Sequence, residues 1–115
     1  MKLEGPGERV TIFVEETDQH GNQPVYAEIV HRARKAGLAG ASAFRGLEGF
    51  GSSGVVHTVN LGDLVEKLPM VIEWIDAPER IEGLLDEVER LVPRALVTIE
   101  DTEVAWGDRG WRGPG

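Results

Sequence analysis

Two segments of the chain place apolar residues at a helical period, and the segments around them are short, β-branched and strand-like. In Arg9-Val10-Thr11-Ile12-Phe13-Val14-Glu15 the pattern predicts a central strand with Val10, Ile12 and Val14 on one face and Phe13 on the other. Tyr26, Ile29, Val30 and Ala33 stand at i, i+3, i+4 and i+7, an apolar stripe with Glu28, His31, Arg32, Arg34 and Lys35 largely outside it. Asn22-Gln23-Pro24 puts a capping side chain ahead of a first-turn proline, and Gly37 supplies a terminator. Ala39 to Phe50 reads as a second strand running into a glycine-rich loop, Val55 to Val59 as a short strand, and Asn60 to Leu68 as about one helical turn. Leu68 to Ile75 is the next long strand, with Pro69 at its start. Asp76-Ala77-Pro78-Glu79 then repeats the helix-start logic, Asp76 as N-cap and Glu79 as its capping-box partner. Ile81, Leu84, Leu85, Val88, Leu91 and Val92 form the second stripe. Pro93 ends that helix before a strand over Ala95 to Ile99, and a last short strand covers Thr102 to Trp106.

The order strand, helix, strand, strand, helix, strand makes two βαβ halves whose helices cover one face of an antiparallel sheet. This is an α+β, ferredoxin-like βαββαβ plait. The opposite face then carries Phe13, one of Val71 or Ile72, and one of Leu96 or Val97. A monomer seldom exposes an apolar patch beyond a few hundred Å², so the pattern predicts a homo-oligomer that buries this face. Three regions are expected: an extended lead-in at 1–8, one domain at 9–106 and a Gly/Trp/Arg-containing tail at 107–115.

A length of 115 residues suits one compact unit, and the absence of cysteine leaves neither disulfides nor thiol chemistry. No apolar run approaches the ~18 residues of a membrane span, so no membrane insertion is expected and the chain is placed in the cytoplasm. The formal charge of -8, without a basic tract, argues against nucleic acid as a partner.

The densest chemical signal is Arg45-Gly46-Leu47-Glu48-Gly49-Phe50-Gly51-Ser52-Ser53-Gly54. Glycines let backbone N–H groups converge on an anion, with Arg45, Ser52 and Ser53 as further donors. The same composition also fits a bulged hairpin connection, and it matches neither a Walker A loop nor a dinucleotide fingerprint. His20, His31 and His57 lack metal-ligand spacing, so no metal site is assigned; His57, just after the glycines, is placed to hydrogen-bond a ligand. The carboxylates Glu15-Glu16-Asp18 and Glu100-Asp101-Glu103 fall at opposite edges of the plait and read as solvated strand ends. With no nucleophile elbow or zinc-protease motif, no catalytic residue is assigned and the chain is read as a non-enzyme. In the tail, Trp111 with Arg109 or Arg112 fits a subunit contact or a stacked base as well as it fits a frayed end.

Gly40-Ala41-Ser42-Ala43-Phe44-Arg45-Gly46-Leu47-Glu48-Gly49-Phe50-Gly51, then Val56-His57-Thr58, then Leu68-Pro69-Met70-Val71-Ile72-Glu73-Trp74-Ile75-Asp76 resemble the domain of unknown function 190 family, which is PII-like. The similarity runs from about Arg9 to Val104. It implies a homotrimer whose sheets face one another inside, and a regulatory, non-catalytic protein without a resident cofactor. It further implies a small-molecule effector, commonly an adenine nucleotide, held in clefts between subunits, and a protein partner of unknown identity. Carried over by position, the ligand-binding residues are Arg45, Gly46, Glu48, Gly49, Gly51 and His57. Arg94, in Val92-Pro93-Arg94-Ala95, stands where the PII signalling proteins have a Gly- and Lys-containing phosphate loop. The only tyrosine, Tyr26, lies on the first helix, so control by uridylylation is not expected. Two rival readings are a metal-binding trimer resembling the CutA proteins, motivated by His57 and the carboxylates, and an enzyme of unrecognised type.

Overall fold

The computed structural model describes residues 2–46, 48–49, 57–58 and 68–108. Its elements, in chain order, are β1 (Lys2–Glu15), β2 (Gln19–His20), β3 (Gln23–Pro24), α1 (Val25–Lys35), β4 (Ala41–Arg45), β5 (Glu48–Gly49), β6 (His57–Thr58), β7 (Pro69–Asp76), α2 (Pro78–Leu91) and β8 (Leu96–Asp108). The main sheet has the order β4-β7-β1-β8, with every described pairing antiparallel. Both helices supply side chains to one core against it, which is the ferredoxin-like arrangement the element order predicts.

Alternation along the strands decides what that core contains. Val10, Ile12 and Val14 of β1 and Met70, Ile72 and Trp74 of β7 point to the helices and are buried. They meet Val25, Ile29 and Ala33 of α1 and Ile81, Leu84 and Val88 of α2, so both apolar stripes are used as expected. Each fully buried aliphatic side chain of this kind contributes about 1.5–3 kcal/mol relative to exposure. Arg32 donates to Glu28 of its own helix at 2.9 Å and, across the helix pair, to Glu87 of α2 at 3.4 Å.

The odd-numbered positions of β1 and β7 point the other way. Phe44, Val71, Phe13 and Leu96 are in register across all four strands, forming one apolar row on the face without helices. Phe13 is 39%, Phe44 55% and Leu96 61% exposed. Of the alternatives open at the sequence level, Val71 and Leu96 lie on this face, while Ile72 and Val97 join the core side.

Local starts and stops differ in part from expectation. α1 ends as expected: Leu38 N–H donates to Ala33 C=O at 3.1 Å and Gly37 N–H to Arg34 C=O at 3.0 Å, a Schellman pair closed by Gly37 at φ 84°. Neither helix carries a side-chain N-cap. Asn22 belongs to the turn of the β2/β3 hairpin, and Pro24 itself is the N-cap residue of α1. Asp76 is the last residue of β7, with Ala77 as N-cap and Pro78 opening α2. The extended segment at 2–8 forms the first half of β1, and the two strands expected over 95–106 are one strand, β8. These extra lengths pair with each other, Gly7 against Thr102 and Lys2 against Asp108, with a register shift between Leu3 and Gly5. The helical turn expected over 60–68 lies, except for Leu68, outside the described residues.

Candidate functional site

Three chain segments converge at the end of the sheet where β1 and β4 finish and β7 begins. Glu16, one residue past β1, donates its N–H to Leu68 C=O at 2.8 Å. Gly46, one residue past β4, donates its N–H to Pro69 C=O at 2.7 Å. Arg45 closes the triangle: its Nη2 reaches Glu16 Oε1 at 2.6 Å and its Nε reaches Glu16 Oε2 at 3.2 Å, a two-pronged guanidinium–carboxylate pair. The Arg45 side chain is 55% exposed and that of Glu16 24%. Asp18 stiffens the turn beside them, its carboxylate accepting the Glu15 N–H at 2.9 Å while its own N–H donates to Glu15 C=O at 3.0 Å.

Gly46 is required here by proximity. A Cβ at this position would lie 2.6 Å from Pro69 Cγ and 3.3 Å from Pro69 O. The close approach lets the two ends of segment 47–67 share one backbone hydrogen bond.

The remaining residues expected at the site are distributed as follows. Glu48 and Gly49 of β5 pair with Thr58 and His57 of β6, so His57 stands directly opposite Gly49. Gly51 lies outside the described residues. Arg94 is exposed in the turn between α2 and β8. Because Leu96 pairs with Phe13 and Arg45 with Met70, Arg94 and Arg45 occupy the same end of the sheet but opposite edges. Three strand spacings separate those edges, roughly 14 Å.

The carboxylate clusters stay apart, as expected. Glu100 is opposite Arg9 in the middle of β1 and accepts its hydrogen bond at 2.8 Å, whereas Glu15 is opposite Pro69 at the C-terminal end of β1; Glu100 to Glu103 lie inside β8 rather than at the expected strand end. Donating that bond to Glu100 makes Arg9 hold its proton more tightly than usual. Among the described residues no group of three His, Cys, Asp or Glu side chains is placed to hold a metal ion, and no helix is long and apolar enough to cross a membrane.

Two features had no counterpart at the sequence level. Glu16 read as one of a solvated carboxylate run; nothing in its spacing marks it as the partner of Arg45. The other is an open concavity of about 400 Å³ at the far end of the sheet, lined by Leu3, Ser42, Glu73, Ile75, Val104 and Trp106 among others. It depends on pairing the chain's two distant ends, which local pattern does not disclose.

The four-stranded antiparallel plait with helices on one side is the fold of PII-like proteins, which CutA shares. A PII-like protein from Thiomonas intermedia K12, solved bound to ADP, AMP and bicarbonate, superposes with a TM-score of 0.64 at 20% identity, over 87% of this chain and 89% of that one. A candidate PII-like signalling protein from Thermus thermophilus gives 0.63 at 18% identity, covering 90% and 93%. CutA from Synechococcus elongatus gives 0.54 at 14% identity, covering 94% and 90%. The chain belongs to the domain of unknown function 190 family, whose profile, described as Uncharacterized ACR, matches residues 7–104. Its similarity to a UPF0166 protein of Aquifex aeolicus is 35% identity over 95 residues, 83% of this chain and 90% of that protein.

Proposed function

We propose that this chain is a regulatory protein of the PII-like kind, a homotrimer that binds a small anionic effector, an adenine nucleotide in the first instance, between subunits and thereby modulates a protein partner. The observation that carries the reading is the placement of Arg45 and Arg94 at one end of the sheet on opposite edges. Cyclic association sets the β4 edge of one copy beside the β8 edge of the next and brings the two cations to one cleft. The apolar row of Phe44, Val71, Phe13 and Leu96 supplies the surface that such association buries. ADP and AMP in the Thiomonas neighbour support the choice of ligand class. Gly46, Glu48, Gly49, Gly51 and His57 border the proposed cleft.

Calorimetric titration of sized, tag-free protein with ATP, ADP, AMP, cyclic AMP and cyclic di-AMP, with and without Mg²⁺, tests this. Saturable heat with one site per chain is expected. A flat response across the panel removes adenine nucleotides as effectors. A metal-binding trimer has the likeness to CutA in its favour; finding no stoichiometric metal in untagged protein discards it.

A further inference from the structure

We infer that Glu16 is an internal occupant of the effector site, its carboxylate holding the Arg45 fork that an anionic ligand takes, so that binding there is an exchange of one anion for another. The inference rests on reading Arg45 as a cation of the effector cleft. Nε and Nη2 of Arg45 are both engaged by the two oxygens of a single carboxylate. That is the geometry in which a guanidinium also receives two oxygens of a phosphoryl group or of a ligand carboxylate. A phosphoryl group arriving at the fork therefore meets a bound anion of matching shape.

Three observations make the pair exchangeable. Arg45 is more than half exposed, so a ligand reaches the fork from solvent, and one carrying more charge and a third oxygen competes with the Glu16 carboxylate there. The Glu16 backbone is fixed independently, by its N–H on Leu68 C=O and by the Asp18 turn next to it, so its side chain can leave without unravelling the strand end. The pair also sits where both ends of segment 47–67 are tied, through Glu16 to Leu68 and Gly46 to Pro69. A displaced Glu16 thus parts its negative charge from Arg45 at that base, next to the bound ligand. The exchange selects for oxyanions that bridge both guanidinium N–H groups, and against spherical anions that satisfy only one.

The test compares ADP and inorganic phosphate affinities of the wild-type protein, Glu16→Gln, Arg45→Gln and the double variant by calorimetry. Glu16→Gln is expected to tighten both ligands about three- to fivefold, the scale of an exposed ion pair. Arg45→Gln is expected to weaken both, and adding Glu16→Gln to it should restore nothing. If the wild-type protein binds ADP and Glu16→Gln binds it equally or more weakly, the exchange is refuted while the effector reading stands. If ADP binds normally to Arg45→Gln, or neither ligand binds any form, the assignment of Arg45 fails and the inference with it. Should Glu16→Gln misfold, the side-chain carboxyl ¹³C resonance of Glu16 in the wild-type protein decides: it is expected to shift on saturation with ADP, and an unmoved resonance overturns the exchange.

Discussion

Asp76, fully buried at the end of β7, accepts the Ala39 N–H on Oδ2 at 2.7 Å and so fixes the chain between α1 and β4 to the start of α2. Its Oδ1 accepts the Ala77 N–H, also at 2.7 Å. One carboxylate thereby serves two backbone donors that would otherwise be left without these acceptors. Replacing it by alanine is expected to cost about 2–4 kcal/mol, at about 1–2 kcal/mol for each half-buried donor that loses its charged acceptor. Urea unfolding of Asp76→Ala measures this, and an unchanged midpoint would mean that solvent satisfies both amides.

Gly46→Ala forces a methyl group against Pro69, 2.6 Å from Cγ and 3.3 Å from the carbonyl oxygen. A pyrrolidine ring has little room to yield, so the strand ends must separate. A loss of about 1–3 kcal/mol is expected, as for other overpacked sites. Amide hydrogen exchange at Glu16, whose bond to Leu68 is the neighbouring tie, should quicken in the variant.

Phe13 stands between Val71 and Leu96 on the sheet face without helices. Phe13→Asp should leave the monomer fold intact, because the side chain does not enter the core, and should dissociate the proposed trimer. Sedimentation velocity reads the result directly. A variant that sediments like the wild-type protein would place the subunit interface elsewhere.

The Glu28 carboxyl is held below its ordinary value of 4.5, first by the hydrogen bond from Arg32. A carboxyl depressed in the folded state contributes stability that is present in full above its unfolded value, and loses it as pH falls through the folded value. Glu28→Gln should therefore be less stable than the wild-type protein at pH 7 and indistinguishable from it near pH 2. A difference of equal size at both pH values would assign the effect to helix propensity instead.

Both helices, the orientation of β1 and β7 and the uncovered apolar face were legible in the sequence because each rests on a period that local residues display. Val10, Ile12 and Val14 alternate, Ile81, Leu84 and Val88 recur at helical spacing, and burial follows. The caps were misjudged because Asn22 and Asp76 had competing uses. Gly21-Asn22 is a two-residue hairpin signal, and Gly21 adopts φ 61° at the first turn position, which removes Asn22 from α1. Asp76 finds Ala39, a partner no local window contains. For the candidate site, composition and resemblance single out the glycines and Arg45, and the structure sets Arg45 and Gly46 beside Glu16 and Pro69. The Glu16 contact joins residues far apart in sequence and left no local trace, and Gly51 lies outside the described residues.

The pairing of β1 with β8 has a consequence for how the chain is made. β1 is synthesised before β7 and β8, yet it lies between them in the sheet. Both its hydrogen-bonding edges stay unmatched until the residues of β7 and β8 have followed it. Contacts of such long sequence separation form slowly, and unpaired strand edges invite association with other chains. Completion of the sheet therefore waits on β8, and this domain is most exposed to aggregation in the interval after β1 and before Leu96–Asp108 emerges from the ribosome.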